Sequence, residues 1–262
     1  MITRITGKDN KTIKFIKSLK KKNNRVDCGK FIAEGRKIAA EAFEYVPNNI
    51  YCVVMTEEFA QKDDAFVLRA QEVCDKVFIV SNQAFDDISD TDTPQGVLVV
   101  VGMPQSEFEP DEASREIVVL DGVSEPGNMG TVIRTAEALG FDGLYLMKGC
   151  ADIYSLKTVR STMGSVFRMK FKTNCTIDDI ILLQRKGFSV VSTTPGGEIC
   201  MENMVIPEKT AIVIGNEAHG ICDEILSLSD MRVKISMDGL AESLNAAVAS
   251  GIVMHWIKTC GK

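Results

Sequence analysis

The chain lacks the features that mark several large classes of protein. None of its apolar runs approaches the roughly 20 residues that a membrane-spanning helix needs. The opening stretch, MITRITGKDNKTIKFIKSLKKK, contains no apolar core and no small-residue cleavage site. We therefore expect neither a membrane span nor a signal peptide.

Metal-binding and disulfide patterns are equally scarce. The eight cysteines are scattered without a CxxC pair, and the only histidines are His219 and His255. The spacing of His219 and Cys222 is a weak metal signal, and a structural or incidental role for both residues explains it better. Scattered cysteines suit a reducing compartment. We expect no metal and a cytoplasmic location.

Motifs that define four common enzyme classes are missing as well. The sequence has no GxGxxG after a strand, no GxxxxGK[ST], no HExxH and no GxSxG. Dinucleotide-dependent dehydrogenases, P-loop enzymes, zinc proteases of the HExxH type and α/β-hydrolases therefore lack their defining parts here. A Rossmann-type oxidoreductase remains only a distant alternative.

Charge is spread unevenly along the chain. The formal net charge is −6, yet residues 1–37 carry twelve Lys and Arg against three Asp and Glu, a net of +9, which leaves −15 for the rest. A second basic stretch, residues 155–172, has five Lys and Arg and no acid. Such asymmetry favours a polyanion as partner, and two basic patches favour nucleic acid. The alternative is an amphipathic helix with a lysine-rich solvent face.

Alternating helix and strand patterns predict an α/β protein with two domains in its 262 residues. Residues 1–104 form the first, smaller domain, and the acidic stretch 105–115 is a linker. In the first domain an amphipathic helix is predicted at 9–20, further helices at 34–46 and 57–74, and strands at 31–33, 50–55, 77–80 and 96–101. Residues 116–262 form the second domain. Its strands are apolar throughout, which is typical of a parallel sheet covered on both faces. They are predicted at 117–120, 144–147, 188–193, 211–215 and 232–236, and helices at 129–139, 155–163, 177–186, 221–228 and 243–259.

The segment PGNMGTVIRTAEALG after the first of these strands predicts a turn and a helix. Asn128 is a plausible N-cap, and Gly140 a plausible residue just past the helix end. Arg134 points away from the apolar stripe of this helix. Taken alone, the pattern favours an exposed Arg134 paired with Glu137. The small residues flanking Arg134 weaken that interpretation, since they suit close packing by another element or subunit.

Two later strand ends have similar polar loops. In IVIGNEAHGI, Gly215 and Gly220 bracket a loop that contains Glu217, and either a ligand or a tight connection explains these glycines. In ISMDGLAESLNAAVASGI, Ser243 and Asn245 open a C-terminal helix that begins with small residues. Ligands collect at the carboxyl ends of strands in such sheets, and helix starts offer free N–H groups.

Together the three segments resemble the SpoU/TrmH-type RNA 2′-O-ribose methyltransferases of the SPOUT superfamily. Asn128 with GTVIRTAEALGF is similar to the first family motif, GNEAHGI to the second, and ISMDGLAESLNAAVA to the third. KTVRSTMGSVFRM is similar to a segment between the first two motifs, and FIAEGRKIAAEAF resembles the start of the family's small RNA-binding domain. Ala218 and His219 are a minor departure, since a Gly and a polar residue are more usual there.

The resemblance implies a fold and a cofactor. The second domain would be a parallel-sheet methyltransferase domain with a C-terminal trefoil knot, and the first a small α/β RNA-binding domain with the L30e-like ribosomal-protein fold. S-adenosylmethionine would bind to the loops at 193–196, 214–220 and 235–244. The implied contact residues are Thr194, Ile214, Gly215, Gly220, Ile235, Met237 and Leu244. Family members are homodimers with the pocket at the subunit interface.

The resemblance also implies the catalytic residues Arg134, Asn128, Glu217, Ser243 and Asn245. A guanidinium stays protonated in proteins, so we expect Arg134 to grip a phosphate and orient the ribose hydroxyl rather than act as a base. A phosphate oxygen or Glu217 would take the proton. The small first domain favours ribosomal RNA as substrate. The alternatives are tRNA as substrate and a non-catalytic RNA-binding protein with a decayed fold.

Overall fold

The computed structural model describes residues 2–5, 7 and 9–260. Five residues lie outside the described ones: Met1, Thr6, Lys8, Gly261 and Lys262. The first predicted domain begins with Met1, and the second ends with Lys262. Contacts divide the chain into two compact units. Unit 1 comprises residues 1–105 and 152–168, and unit 2 comprises residues 106–151 and 169–262. This division places 152–168 in unit 1 and most of the expected linker in unit 2. The domain boundaries at 104 and 116 stay a prediction.

The first 105 residues alternate short strands and helices. They are β1 (Ile2–Ile5), α1 (Lys11–Ser18), α2 (Lys22–Cys28), β2 (Lys30–Glu34), α3 (Arg36–Tyr45), β3 (Ile50–Thr56), α4 (Glu57–Lys62), α5 (Asp64–Val73), β4 (Val77–Val80), α6 (Asn82–Ile88) and β5 (Val97–Gly102). The sheet order is β1-β4-β3-β5-β2. β1, β4 and β3 are parallel, and β5 is antiparallel to both β3 and β2.

The remaining residues form most of the second predicted domain. They are β6 (Glu116–Leu120), α7 (Pro126–Ala138), β7 (Gly143–Met147), α8 (Leu156–Thr162), β8 (Phe171–Cys175), α9 (Ile177–Arg185), β9 (Ser189–Thr193), β10 (Ile199–Cys200), β11 (Thr210–Ile214), α10 (Asp223–Leu228), β12 (Met231–Lys234) and α11 (Ala246–Cys260). Helix α8 belongs to unit 1 by its contacts.

In unit 1, the N-terminal helix α1 follows its predicted amphipathic pattern. Ile13 and Ile16 on α1 are fully buried, as is Leu19 at its C-cap, and the lysines face outward. Several basic groups of unit 1 are paired. Arg25 is 4% exposed, forms an ion pair with Asp152 and donates to the backbone carbonyl of Leu19 at 2.7 Å. Part of the basic charge seen in the sequence is therefore neutralised within the fold.

The sheet of unit 2 confirms the predicted parallel α/β arrangement. Its order is β10-β12-β9-β11-β6-β7-β8, and every pairing between described strands is parallel. Because the register is continuous, Ile214 at the end of β11 pairs with Leu120 of β6 and with Thr193 of β9. Thr193 also pairs with Val233 of β12. The loops that follow these four strands therefore start from one edge of the sheet.

Several elements have no counterpart in the sequence-based prediction. They are β1, α2, α6, β8 and β10, which are short or carry polar residues at positions that break the pattern. The expected single helix over 57–74 is two helices, because Asp63 takes a non-helical φ of −138° and caps α5 by accepting a hydrogen bond from the Phe66 N–H at 3.1 Å. Within the described residues, no helix is long and apolar enough to cross a bilayer.

Candidate active site

Helix α7 begins earlier than the sequence predicts. Its N-cap is Glu125, whose carboxylate accepts a hydrogen bond from the Asn128 N–H at 2.7 Å. The prediction of Asn128 as N-cap is therefore wrong. Pro126 at the first helical position explains the earlier start, because proline fixes a helical φ there and has no N–H to satisfy. The Asn128 side chain is left available for other contacts, while Gly140 follows the helix end with a φ of 72° as predicted.

A chain of side-chain hydrogen bonds joins the three motif loops. Asn128 Nδ2 donates to Glu217 Oε1 at 2.6 Å, and Asn245 Nδ2 donates to Asn128 Oδ1 at 3.1 Å. Asn245 Oδ1 accepts hydrogen bonds from two N–H groups in the first turn of α11. Because these backbone donors fix the Asn245 oxygen, they also fix the orientation of the Asn245 amide and of the Asn128 amide that follows it. The chain therefore runs from the start of α11 to the Glu217 carboxylate.

The loop that carries Glu217 is held by residues that sequence reasoning missed. Asn216 Nδ2 donates to the Gly122 carbonyl at 2.7 Å, and the Asn216 and Gly220 backbones exchange two hydrogen bonds of 2.9 Å. Asp121 Oδ2 accepts from the Cys222 N–H at 2.8 Å. The signal for Asp121 was an Asp-Gly pair immediately after a buried strand. These bonds tie the loop after β11 to the loop after β6.

Gly215 and Gly197 sit where two backbones meet. A Cβ on Gly215 would lie 2.6 Å from the Gly220 carbonyl oxygen and equally close to the next backbone nitrogen. A Cβ on Gly197 would lie 2.5 Å from the Val233 carbonyl carbon. Neither clash could be relieved by moving a flexible side chain. The Gly215 contact therefore closes the loop after β11 on itself, and the Gly197 contact holds the loop after β9 against the end of β12.

The residues predicted to bind the cofactor lie on these loops. Ile214 ends β11, and the Thr194 N–H donates to the Val233 carbonyl at 2.9 Å. Ile235, Met237 and Leu244 follow β12 in a stretch without helix or strand. Ser243 is exposed on the same stretch and, within the described residues, makes no hydrogen bond to the Asn128 chain.

A groove runs along α7 and α11. Its volume is about 580 Å³, and it reaches Asn128 and Asn245 at one end. It is lined by Asn128, Thr131, Asn245, Ala247, Val248, Gly251, Ile252 and His255. Arg134 is exposed on α7 and has no ion pair among the described residues. The alternative of an Arg134–Glu137 pair is therefore not found, and the guanidinium is available to a ligand.

Cysteine chemistry near the site is suppressed. Burial raises the pKa of the Cys150 thiol to about 11, and burial also raises the pKa of the Cys222 thiol. Both thiols are therefore protonated near neutral pH, which makes them poor nucleophiles. In the part of the chain that the structure describes, no group of three metal-ligating side chains occurs. The polar groups that remain suit binding, orientation and proton transfer.

Two known protein families match parts of this chain. The SpoU rRNA Methylase family model matches residues 115–255, and a model described as the MRM3-like substrate binding domain matches residues 10–99. Over 254 residues the chain is 30% identical to the 23S rRNA (guanosine(2553)-2′-O)-methyltransferase RlmP of Bacillus subtilis (strain 168), covering 97% of this chain and 98% of the relative.

Solved structures agree as well. An AdoMet-bound rRNA methyltransferase from Sinorhizobium meliloti superposes with a TM-score of 0.85 at 30% identity, covering 97% of each chain. The SpoU methyltransferase AviRb from Streptomyces viridochromogenes, solved with AdoMet, gives a TM-score of 0.85 at 24% identity, covers 96% of this chain and 98% of AviRb, and supports the fold alone. The predicted family is confirmed: this chain belongs to the SpoU rRNA methylase family.

Proposed function

We propose that this chain transfers a methyl group from S-adenosylmethionine to a ribose 2′-hydroxyl of ribosomal RNA. The observation that carries the proposal is the hydrogen-bond chain from Asn245 through Asn128 to Glu217, which joins three loops at one edge of a parallel sheet. The B. subtilis relative is named as a 23S rRNA enzyme, which favours rRNA over tRNA as substrate. The AdoMet-bound relative from S. meliloti supports S-adenosylmethionine as the cofactor.

We infer that the residues present fit that cofactor, because Ile235, Met237 and Leu244 keep part of their apolar surface accessible to its adenine. The backbones at Gly215 and Gly197 approach their neighbours so closely that a Cβ would displace the surrounding loops. When bound, S-adenosylmethionine supplies a methyl group activated on a sulfonium. The residues that would hold it are Thr194, Ile214, Gly215, Gly220, Ile235, Met237 and Leu244.

Arg134 would position the RNA. Its exposed guanidinium has no ion pair among the described residues, and a guanidinium suits bidentate contact with a phosphate. Gripping the phosphate beside the target ribose would align the 2′-hydroxyl for in-line attack. A guanidinium does not give up its proton in a protein, so Arg134 is assigned orientation rather than base catalysis.

Glu217 is one of two groups that could accept the proton of the hydroxyl; the other is a phosphate oxygen of the RNA. Asn128 binds only Oε1 of the carboxylate, so Oε2 has no hydrogen-bond partner among the described residues. Asn128 and Asn245 would hold the carboxylate in place. Ser243, exposed on the neighbouring loop, would complete the polar pocket around the ribose.

The homodimer expected from the resemblance belongs to this proposal. The groove along α7 and α11 contains Val248, which is 52% exposed, and ends beside Asn128 and Asn245. A second copy packed on these helices would cover Val248 and enclose the polar residues. Small side chains such as Ala247 and Gly251 would allow the helices to approach closely.

Three finer expectations also remain proposals. A trefoil knot in unit 2 is proposed from the family resemblance, and an experimental structure that traces the C-terminal segment without threading would contradict it. The ribosomal-protein-like fold of the first domain would be tested by the same structure. The cytoplasmic location would be contradicted if fractionation placed the protein elsewhere.

Mapping 2′-O-methyl groups in total RNA with and without the gene tests the main proposal. We expect one ribose in 23S rRNA to lose its methyl group and to regain it when the wild-type gene is restored. Loss of a tRNA site instead would favour the tRNA alternative. No changed site, together with no binding of S-adenosylmethionine by calorimetry, would favour the non-catalytic RNA-binding alternative.

Substitution of Arg134 tests its assigned role. We expect Arg134→Ala to slow single-turnover methylation by at least about 100-fold, in the range typical of removing one catalytic hydrogen-bond donor. Arg134→Lys should also be slow, because an ammonium lacks the planar fork of a guanidinium. Arg185→Ala removes an exposed arginine from α9 and serves as the control. Near-native turnover and RNA affinity in both Arg134 variants would contradict the role of Arg134 in positioning the RNA.

Substitution of Gly215 tests the fit of the cofactor loops. In Gly215→Ala the new methyl would meet the Gly220 backbone of the same loop, and forcing this loop open costs roughly 1–3 kcal/mol. We expect the affinity for S-adenosylmethionine to fall about tenfold or more in calorimetry. Gly7→Ala is the control, since nothing lies within 4 Å of its added methyl and Gly7 lies outside the loops expected to hold the cofactor. Equal affinities in the two variants would show that Gly215 does not shape the cofactor loops.

Substitution of Val248 tests the proposed dimer face. Val248→Glu would bury a carboxylate without a partner if a second copy covers the groove, so we expect the dimer to dissociate in sedimentation experiments. Val205→Glu is the control, because Val205 is 83% exposed in the same unit but lies off the groove. A Val248→Glu protein that stays dimeric would rule out this face.

A further inference from the structure

One edge of the unit 1 sheet brings an aromatic ring and two lysines together. Lys30 is the first residue of β2, Tyr51 is the second residue of β3, and Lys76 immediately precedes β4. β3 and β4 are parallel, and β2 runs in the same direction because both β2 and β3 are antiparallel to β5. The three residues therefore lie at the edge where these strands begin.

The Tyr51 ring organises this group. Lys30 Nζ lies 5.0 Å from the ring centroid and Lys76 Nζ lies 4.1 Å from it. Both distances are within the range of a cation–π contact, so two ammonium groups share one ring. The Phe15 ring packs beside Tyr51 with centroids 5.6 Å apart. Tyr51 and Phe15 are half-buried, which leaves part of each ring at the surface.

The charges of this lysine pair are not neutralised by carboxylates. Within the described residues neither Lys30 nor Lys76 forms an ion pair, and the Lys30 ammonium donates only to the Cys28 carbonyl at 3.1 Å. The contrast with α1 is clear, since Lys14 and Lys17 are each paired with an aspartate. The nearest acid along the chain is the exposed Asp75, which neighbours Lys76 in sequence.

Lysine stems often cover aromatic rings, and that packing explains each lysine taken singly. It does not explain why two ammonium groups converge on one ring without a carboxylate, because like charges repel unless an anion is shared. A phosphate backbone supplies such an anion, and half-exposed aromatic rings supply surfaces on which unpaired bases stack.

We propose that this edge binds a single-stranded segment of the RNA substrate. Lys30 and Lys76 contact phosphates, and the Tyr51 ring holds both ammonium groups in place and stacks on a base, with Phe15 supporting it. The inference rests on the proposed function in taking RNA as the substrate. It adds a contact surface in unit 1, remote in sequence from the motif loops of unit 2.

Binding of a fluorescein-labelled, mixed-sequence, 20-nucleotide single-stranded RNA to the full chain tests the proposal. Fluorescence anisotropy would give the affinity over a range of salt concentrations. The slope of log K against log salt falls by about 0.7 for each phosphate that the protein no longer neutralises, so the double variant Lys30→Ala/Lys76→Ala should lower it by about 1.4. That change is roughly a 25-fold loss of affinity in 0.1 M salt if the affinities converge at 1 M salt.

The matched control is Lys62→Ala/Arg69→Ala. It removes the same charge from the same unit, but at exposed residues that are each paired with a glutamate. Its salt slope should stay near that of the wild type. Tyr51→Leu should lower affinity about tenfold with little change in the slope, whereas Tyr51→Phe should bind normally because the ring is kept. Melting followed by circular dichroism checks that the variants remain folded.

Three outcomes would overturn the proposal. The first is no binding of this RNA by the wild type, and the second is the same salt slope in the Lys30/Lys76 variant and in the control. The third concerns an RNA duplex of the same length. If the wild type bound the duplex as tightly as the single strand, and the Lys30/Lys76 variant lost the same affinity for both, the edge would be assigned to double-stranded RNA. Failure of methyl transfer with intact oligonucleotide binding would count against the proposed function and leave this surface standing.

Discussion

The architecture of the candidate site depends on the orientation of the Asn245 side-chain amide, which is fixed at the start of α11. Two backbone N–H groups bind the Asn245 side-chain oxygen, so its amide nitrogen must face Asn128. Asn128 in turn presents its own nitrogen to Glu217. A helix N-terminus thus sets the direction of every donor up to a carboxylate that belongs to another loop. Without that anchor, either amide could rotate and the carboxylate would lose its side-chain donor.

The parallel sheet explains why such a short series of hydrogen bonds can reach three loops. Consecutive strand ends of β6, β11, β9 and β12 are register neighbours, so residues far apart in sequence emerge side by side. Asn128 and Asn245 are separated by 117 positions and still share a hydrogen bond. The site residues lie on loops and at helix starts, so the strands themselves can be apolar throughout. The same positions therefore need not serve both the core and the site.

Much of this arrangement is predictable because it follows from local patterns. Apolar runs flanked by glycine and polar residues locate the strands of unit 2, whereas Glu217, Asn128 and Asn245 are expected only because three motif segments together resemble a known family. The capping role of Glu125 is not predictable in the same way. Glutamate is not a preferred N-cap, and it serves here because Pro126 fixes the first turn and leaves the carboxylate within reach of the Asn128 N–H.

Other features depend on contacts between distant residues. Nothing in the local sequence of 152–168 indicates that this segment packs with the first 105 residues, since its helix pattern fits either unit. The same holds for Asp121 and Asn216, whose importance comes from backbone groups on other loops. Counts of charged residues do not predict which basic groups are available to a ligand. They do not separate Arg25, which is paired with a carboxylate, from Lys76, which has no ion pair among the described residues.

The backbone contact at Gly215 limits which substitutions this loop can accept. The atoms opposite its missing Cβ belong to the main chain of Gly220 and the following residue, so they are the same whatever side chains are present. A defect introduced at Gly215 could therefore not be repaired by shrinking a neighbouring side chain, as a defect in an apolar core often can. Only a rerouted loop, with residues inserted or deleted, would restore the space.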